Sequence, residues 1–162
     1  MSSKLTFASG KILFTLIALF TAISPYVADW NATHLFNPLW PPHAKFHNAQ
    51  TMTVGLLLGV AALLFIWIRR GGVRANLLSV IIFVSLYWVS QILVNLYPGV
   101  AWTDPNLLEP GESLSHFPTP QFIVDLVMFA LIALAALLVL RGSADTQNES
   151  RNEPQARGEV KA

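Results

Sequence analysis

The chain has 162 residues, of which 54% are hydrophobic and only 12% are charged, and its formal net charge is +1. A soluble domain usually carries about twice this fraction of charged residues, so the composition indicates a membrane protein built as one compact unit. A net charge this small provides no basic face, which argues against a nucleic-acid partner. The sequence contains no cysteine, and this excludes disulfides, thiolate metal sites and dithiol redox relays.

Four long apolar segments follow one another along the chain. A helix that crosses the bilayer core needs roughly 20 apolar residues, and stretches of about this length predict spans at residues 12–28, 46–68, 75–97 and 120–140. A cleaved signal peptide is the alternative for the first span, but no small-x-small cleavage site follows it. Backbone groups in lipid must bond to one another, so the spans are helices. The sequence therefore predicts an all-α, integral membrane four-helix bundle over residues 1–141.

Two glycines in the second span, Gly55 and Gly59, form a Gly-x-x-x-Gly pair. Such a pair lets the backbones of two membrane helices approach closely. The alternative is that they are two small residues in a loosely packed helix.

Basic residues are distributed unevenly between the two ends of the predicted bundle. One end carries Lys4, Lys11, Arg141 and the arginines of the turn at residues 69–74, whereas the long loops at the other end carry one lysine and four acidic residues. The positive-inside rule places both termini in the cytoplasm. The chain would then lie in a bacterial inner membrane or a eukaryotic endomembrane. The polar segment at residues 142–162 is typical of a disordered tail.

Two histidines, His43 and His47, lie four residues apart directly after Trp40-Pro41-Pro42. Proline suits the first turn of a helix, so a helix that starts here places both histidines on one face, at the mouth of the second span. The stiff loop before them would fix their orientation.

The other helices offer polar residues at the same level of the bundle. Residues four apart share a helix face, and this spacing recurs in the third and fourth spans. We therefore predict a polar pocket in the outer half of the bundle, lined besides the histidines by Asp29, Tyr87, Trp88, Gln91, Asn95, Gln121 and Asp125. An ionisable residue within a span, such as Asp125, indicates function by default. The alternative is a solvated acid that the helix dipole favours near the start of a helix.

This pocket predicts proton transfer on an apolar, lipid-like substrate that enters from the bilayer, as in an isomerisation or a cyclisation. His43 or His47 would act as base or acid because histidine changes its charge near neutral pH. Asp125 would be the partner carboxylate or would stabilise a cation. The remaining pocket residues would bind the substrate, and no cofactor motif is present.

Other interpretations use the same residues. The histidines could anchor the helix at the membrane surface, or they could bind a divalent metal such as zinc, because an i, i+4 histidine pair suits this ion. Further ligands would then come from His34, His116, Asp29 or Asp125. The polar residues of the spans could instead hydrogen-bond helices to one another, in a non-enzymatic membrane subunit or a lipid-binding scaffold.

The segment at residues 30–43, WNATHLFNPLWPPH, resembles an uncharacterised family of small four-span membrane proteins, and this similarity implies no activity. Four spans with histidine and carboxylates near the bundle mouth, over residues 12–140, resemble the emopamil-binding (EXPERA) group of sterol isomerases and sterol-binding proteins. That resemblance implies a pocket within the membrane for a lipid-like ring system and assigns no residue a role. The layout is also similar to that of small DoxX-like proteins.

Overall fold

The computed structural model describes residues 3–68, 72–102 and 119–159. Within these ranges it contains four long helices and no strand: α1 (Ser3–Asp29), α2 (Pro42–Trp67), α3 (Val73–Leu93) and α4 (Pro120–Glu159). Each helix contains a stretch that is long and apolar enough to cross a membrane, so the prediction of an all-α, four-span membrane bundle is confirmed. The cytoplasmic location of the termini and the kind of membrane stay predictions.

The helix ends near the candidate site follow from local sequence. α2 begins at Pro42, where the missing N–H of proline costs nothing, and Pro41 precedes it in extended conformation. This start lies four residues before the predicted span and puts His43 in the first helical turn. α3 tightens into a 3₁₀ turn at Val94–Leu96. There, Nδ2 of Asn95 donates to the carbonyl oxygens of the preceding turn and caps the helix.

The four helices form a ring in which each packs against the helices before and after it, and α4 packs against α1. Of the two diagonals, α1 and α3 approach each other. α2 and α4, in contrast, make no close backbone approach within the described residues. The α1–α3 contact therefore separates α2 from α4, and side chains of these two helices belong to different sides of the interior.

Buried residues recur at intervals of three and four along α2 and α4. On α2 they are Met52, Gly55, Gly59, Ala62 and Ile66. On α4 they are Asp125, Met128, Ile132, Ala135, Val139 and Gly142. This is the repeat of left-handed coiled-coil packing. Large apolar residues such as Leu57, Leu86 and Leu137 are exposed on the outside of the bundle, as expected for a surface that faces lipid chains.

Glycines let α1 lie close to both of its neighbours. A Cβ atom at Gly59 of α2 would lie 2.5 Å from the carbonyl oxygen of Ala18 and 2.7 Å from Cβ of Ala22. Gly55 faces α1 one turn away in the same manner, and Gly10 has this role at the α1–α4 interface. The prediction that the Gly55–Gly59 pair permits close approach of two helices is confirmed.

α4 continues well beyond the predicted end of the fourth span. It is helical as far as Glu159, within the segment at residues 142–162 for which the sequence predicts a disordered tail, and that tail stays a prediction. This segment mixes residues that favour helix, such as alanine and glutamate, with a proline and glycines that do not. Extension of an existing helix also avoids the costly nucleation step. The composition that predicted disorder is therefore compatible with a polar helix once a membrane span precedes it.

Candidate functional site

The carboxyl group of Asp125 lies inside the bundle. Asp125 belongs to the second turn of α4, and 0% of its surface is exposed. Among the residues that the structure describes, none donates a hydrogen bond to either carboxyl oxygen. Asp125 occupies a position of the α4 seam that continues with Met128 and Ile132. Burying a carboxyl group without a hydrogen-bond partner lowers the stability of the fold by more than the packing of its side chain raises it. Asp125 is therefore the first candidate for a functional residue.

A buried hydrogen bond spans the short diagonal of the bundle. Nε1 of Trp88 on α3 donates to the hydroxyl oxygen of Thr21 on α1 at 3.2 Å. Phe20 stacks on the indole ring, with centroids 5.8 Å apart, and Tyr87 meets it edge to face at 5.1 Å. The predicted pocket residue Trp88 is therefore part of the α1–α3 contact.

Tyr87 packs into the notch that Gly55 leaves on α2. A Cβ at Gly55 would lie 2.8 Å from Cγ of Pro25 and 3.3 Å from Cε2 of Tyr87, so a side chain there would collide with Pro25 and crowd the ring. Tyr87 therefore lies where α3 meets α1 and α2, against Pro25 and Gly55.

A cleft of about 430 Å³ opens between α1, α3 and α4 in the half of the bundle that contains Asp125. Phe20, Trp88 and Val124 give it an apolar wall, and Gln91 and Gln121 contribute amides. The side-chain oxygen of Gln91 is buried and has no hydrogen-bond donor among the described residues. An apolar cleft with a few polar groups is typical of sites for apolar small molecules.

Asp125 lies directly behind this cleft. Its sequence neighbour Val124 and Gln121, one turn earlier, line the cleft, whereas the side chain of Asp125 is turned into the core. Tyr87 lines the same cleft. The phenol of Tyr87 and the amide of Gln121 are therefore polar groups of the cleft in front of Asp125.

The second carboxyl of the predicted site, Asp29, has partners. Nδ2 of Asn48 on α2 donates to Oδ2 of Asp29 at 2.8 Å, and Nε2 of His34 lies 3.9 Å from Oδ1. The backbone carbonyl of Asp29 accepts two hydrogen bonds from the loop that follows α1. Asp29 therefore fixes this loop against α2, which is a structural role that Asp125 does not share.

His43 and His47 form a pair on the exposed face of the first turns of α2. Their Nε2 atoms lie 3.1 Å apart, and Nδ1 of His47 lies 3.2 Å from Oε1 of Gln50. Because an amide oxygen only accepts, Nδ1 of His47 carries the proton. Nε2 of His47 then offers its lone pair, and Nε2 of His43 donates to it.

The structure brings together some of the predicted site residues and separates others. Four of them line the cleft in front of Asp125: Tyr87, Trp88, Gln91 and Gln121. Asn95 does not, because it is exposed in the 3₁₀ turn and bonds to backbone carbonyls. His116 lies outside the described residues.

The histidine pair and Asp125 do not share a cleft in the described part of the chain. His47 lines a separate cleft of about 200 Å³ between α2 and α3, and α2 lies across the bundle from α4. Tyr87 borders both clefts. The acid–base role of His43 and His47 toward an Asp125 site stays a prediction, and it would have to act through Tyr87.

Sequence spacing did not single out Thr21 or Asn48. Thr21 follows the buried residues Ile17 and Ala18 at the spacing of one helix face, and this register could have identified it. Asn48 lies one residue after His47 and therefore on a different face of α2. No local pattern points to its contact with Asp29.

The described residues contain no group of three or more histidines and acids that could hold a metal ion. The three described histidines and two acids of the outer half are instead distributed over two pairs, His43–His47 and His34–Asp29, with Asp125 apart from both. A metal site with three or four protein ligands, which the sequence left open, would need residues outside the described ranges.

One protein-family model matches residues 13–151 of the chain, and it describes a family of unknown function (DUF6640). No curated protein matches the chain, and no solved structure does. The match agrees with the resemblance of residues 30–43 to an uncharacterised family. It shows no similarity to the emopamil-binding (EXPERA) group.

Proposed function

Because the chain belongs to the DUF6640 family, whose function is unknown, we propose its function from the geometry of the site. The protein binds an apolar, lipid-like molecule that enters the cleft between α1, α3 and α4 from the bilayer. The observation that carries this proposal is the buried carboxyl group of Asp125, which has no donor among the described residues and lies behind an apolar cleft.

The unpaired atoms at this site indicate what the bound molecule carries. Both oxygens of Asp125 and Oε1 of Gln91 are hydrogen-bond acceptors that lack a donor in the described part of the chain. Buried polar atoms are normally hydrogen-bonded. A lipid-like molecule with a hydroxyl or amino group would supply the donor and offset the cost of burial.

Proton transfer on the bound molecule is a second candidate function. It is favoured by the position of Tyr87, a phenol that lines the cleft in front of Asp125. In this account Asp125 accepts or returns the proton and Tyr87 positions the reacting group. An isomerisation within the membrane is a reaction of this class.

Native mass spectrometry of the protein extracted together with its lipids tests the binding function. We expect the wild type to retain one small molecule per chain. Val124→Trp should lose it, because the larger ring fills the cleft. Leu137→Trp is the matched control, since Leu137 lies on the same helix but faces lipid, and this variant should retain the molecule.

Retention of the same molecule by Val124→Trp would place the binding site elsewhere and contradict the proposal. A wild type that retains nothing beyond exchangeable bilayer lipids would favour the other interpretation, a membrane subunit or scaffold whose polar residues hold the helices together. Turnover of the retained molecule by the wild type, and its loss in Asp125→Asn, would support proton transfer.

A further inference from the structure

The histidine pair at the start of α2 is separate from the proposed cleft, and its geometry fits a ligand of another class. His43 and His47 are exposed, and their Nε2 atoms lie 3.1 Å apart. With metal–nitrogen bonds of about 2.05 Å, two nitrogens at this distance subtend an angle of roughly 100° at a shared ion. That angle lies between those of octahedral and tetrahedral coordination.

The contact between His47 and Gln50 sets the tautomer in which Nε2 of His47 can bind a metal. Its Oε1 holds the proton of His47 on Nδ1, so Nε2 of His47 carries the lone pair. A histidine that binds a metal through one nitrogen typically donates the other N–H to an oxygen in this way, and the bond fixes both the tautomer and the orientation of the ring.

The second imidazole is also restrained. The ring of His43 lies parallel to that of Phe46, with centroids 6.0 Å apart. His43 itself belongs to a first helical turn that follows Pro41 and Pro42, whose φ angles are fixed by their rings. The backbone at His43 is therefore fixed before a ligand binds, and this part of the conformational entropy is not lost on binding.

We propose that His43 and His47 chelate one divalent transition-metal ion, such as zinc, through their Nε2 atoms. The ion replaces the hydrogen bond between the two rings. His43 then carries its proton on Nδ1, and each ring turns by roughly 40° so that its lone pair points at the ion. Water completes the coordination, because the described residues place no third histidine or acid at this point.

Equilibrium dialysis of the detergent-solubilised, untagged protein against zinc tests the proposal. The wild type should bind one zinc ion per chain, and its midpoint of thermal unfolding should rise with zinc concentration. His43→Gln and His47→Gln should each weaken binding at least tenfold, since either change removes one of two ligands. His34→Gln is the control and should leave zinc binding unchanged. Magnesium should bind to none of them, because it prefers oxygen ligands.

Three results would overturn the proposal. The first is full zinc binding in His43→Gln or His47→Gln. The second is absence of zinc binding by the wild type at millimolar concentration, which would leave the pair as a hydrogen bond between rings. The third is binding of half an ion per chain together with dimer formation, which would place the ion between two copies. Zinc-induced shifts of the imidazole ¹⁵N resonances of both histidines would confirm the site independently of the variants.

Discussion

Trp88 and Thr21 are joined by a buried hydrogen bond of 3.2 Å that crosses the bundle from α3 to α1. These residues are 67 positions apart in the chain. Their bond closes the shorter diagonal of the four-helix ring and divides the interior into an α2 side and an α4 side. The candidate cleft, with Asp125 behind it, lies on the α4 side.

Removal of the Thr21 hydroxyl tests the strength of this connection. Thr21→Val leaves the buried indole N–H without an acceptor, and we expect the free energy of unfolding to fall by about 1–3 kcal/mol. The chain offers a matched pair for comparison, because Nε1 of Trp67 donates to Thr15 at the same distance of 3.2 Å but at an exposed site.

Thr15→Val should therefore cost less than about 0.5 kcal/mol, since the indole of Trp67 can find another partner at the surface. Unfolding of both variants in mixed detergent micelles gives the comparison. Equal losses of unfolding free energy in the two valine variants would show that the buried bond between α1 and α3 stabilises the fold no more than the exposed one does.

Close packing of α2 on α1 depends on Gly59. A side chain there would collide with the backbone of α1, 2.5 Å from the Ala18 carbonyl oxygen. We expect Gly59→Ser to destabilise the bundle by about 1–3 kcal/mol, because the helices must separate to admit the side chain. Thermal unfolding in detergent measures the loss.

Gly72→Ser is the control for this substitution. Nothing lies within 4 Å of a Cβ at Gly72, which is the N-cap of α3, a position where serine is preferred. This variant should be neutral or slightly more stable than the wild type. A Gly59→Ser protein as stable as the Gly72→Ser protein would contradict the close α1–α2 contact.

Replacement by leucine should change the stability of the protein in opposite directions at the two carboxyl groups of the outer half, Asp125 and Asp29. Asp125→Leu keeps the branching of the side chain and removes two buried acceptors that lack donors in the described residues, so we expect stability to rise by about 1–3 kcal/mol. Asp29→Leu deprives Asn48 of its acceptor and should lower stability by a similar amount.

Unfolding free energies of the two leucine variants, measured on ligand-free protein in one detergent, check this prediction. A stabilising replacement is common at functional residues, whose presence costs stability. If Asp125→Leu proves as destabilising as Asp29→Leu, the carboxyl of Asp125 has a structural partner and the functional argument fails.

The sequence predicted the four spans because an apolar stretch of roughly 20 residues is long enough to cross a bilayer as a helix. It also predicted the contact at Gly55 and Gly59 and the shared face of the histidines, since both follow from helix periodicity. The spacing of three and four from Asp125 to Met128 and Ile132 carried a further signal, namely that this acid faces the core and is not a solvated acid at the start of the helix.

The arrangement of the site could not be predicted in the same way. Apolar spans do not specify which helices of a ring lie diagonally opposite, because this depends on side-chain packing between distant segments. For this reason the sequence grouped His47 with Asp125, although α2 and α4 make no close approach in the described residues. Helix register can show that Thr21 is buried, but it does not show that Trp88, 67 positions away, is its partner.

The most direct test of the account is photolabelling with a long-chain alcohol that carries a diazirine group. The label should concentrate on the peptides of α3 and α4 that contain Gln91 and Val124. An excess of the unlabelled alcohol should compete, whereas the alkane of equal length should compete poorly, because it offers no donor to Asp125. In Asp125→Leu this preference for the alcohol should disappear. Two results together would contradict the account: label spread evenly over the lipid-facing residues of all four helices, and equal competition by the alcohol and the alkane. They would show that no specific site exists at which Asp125 accepts a hydrogen bond from the bound molecule.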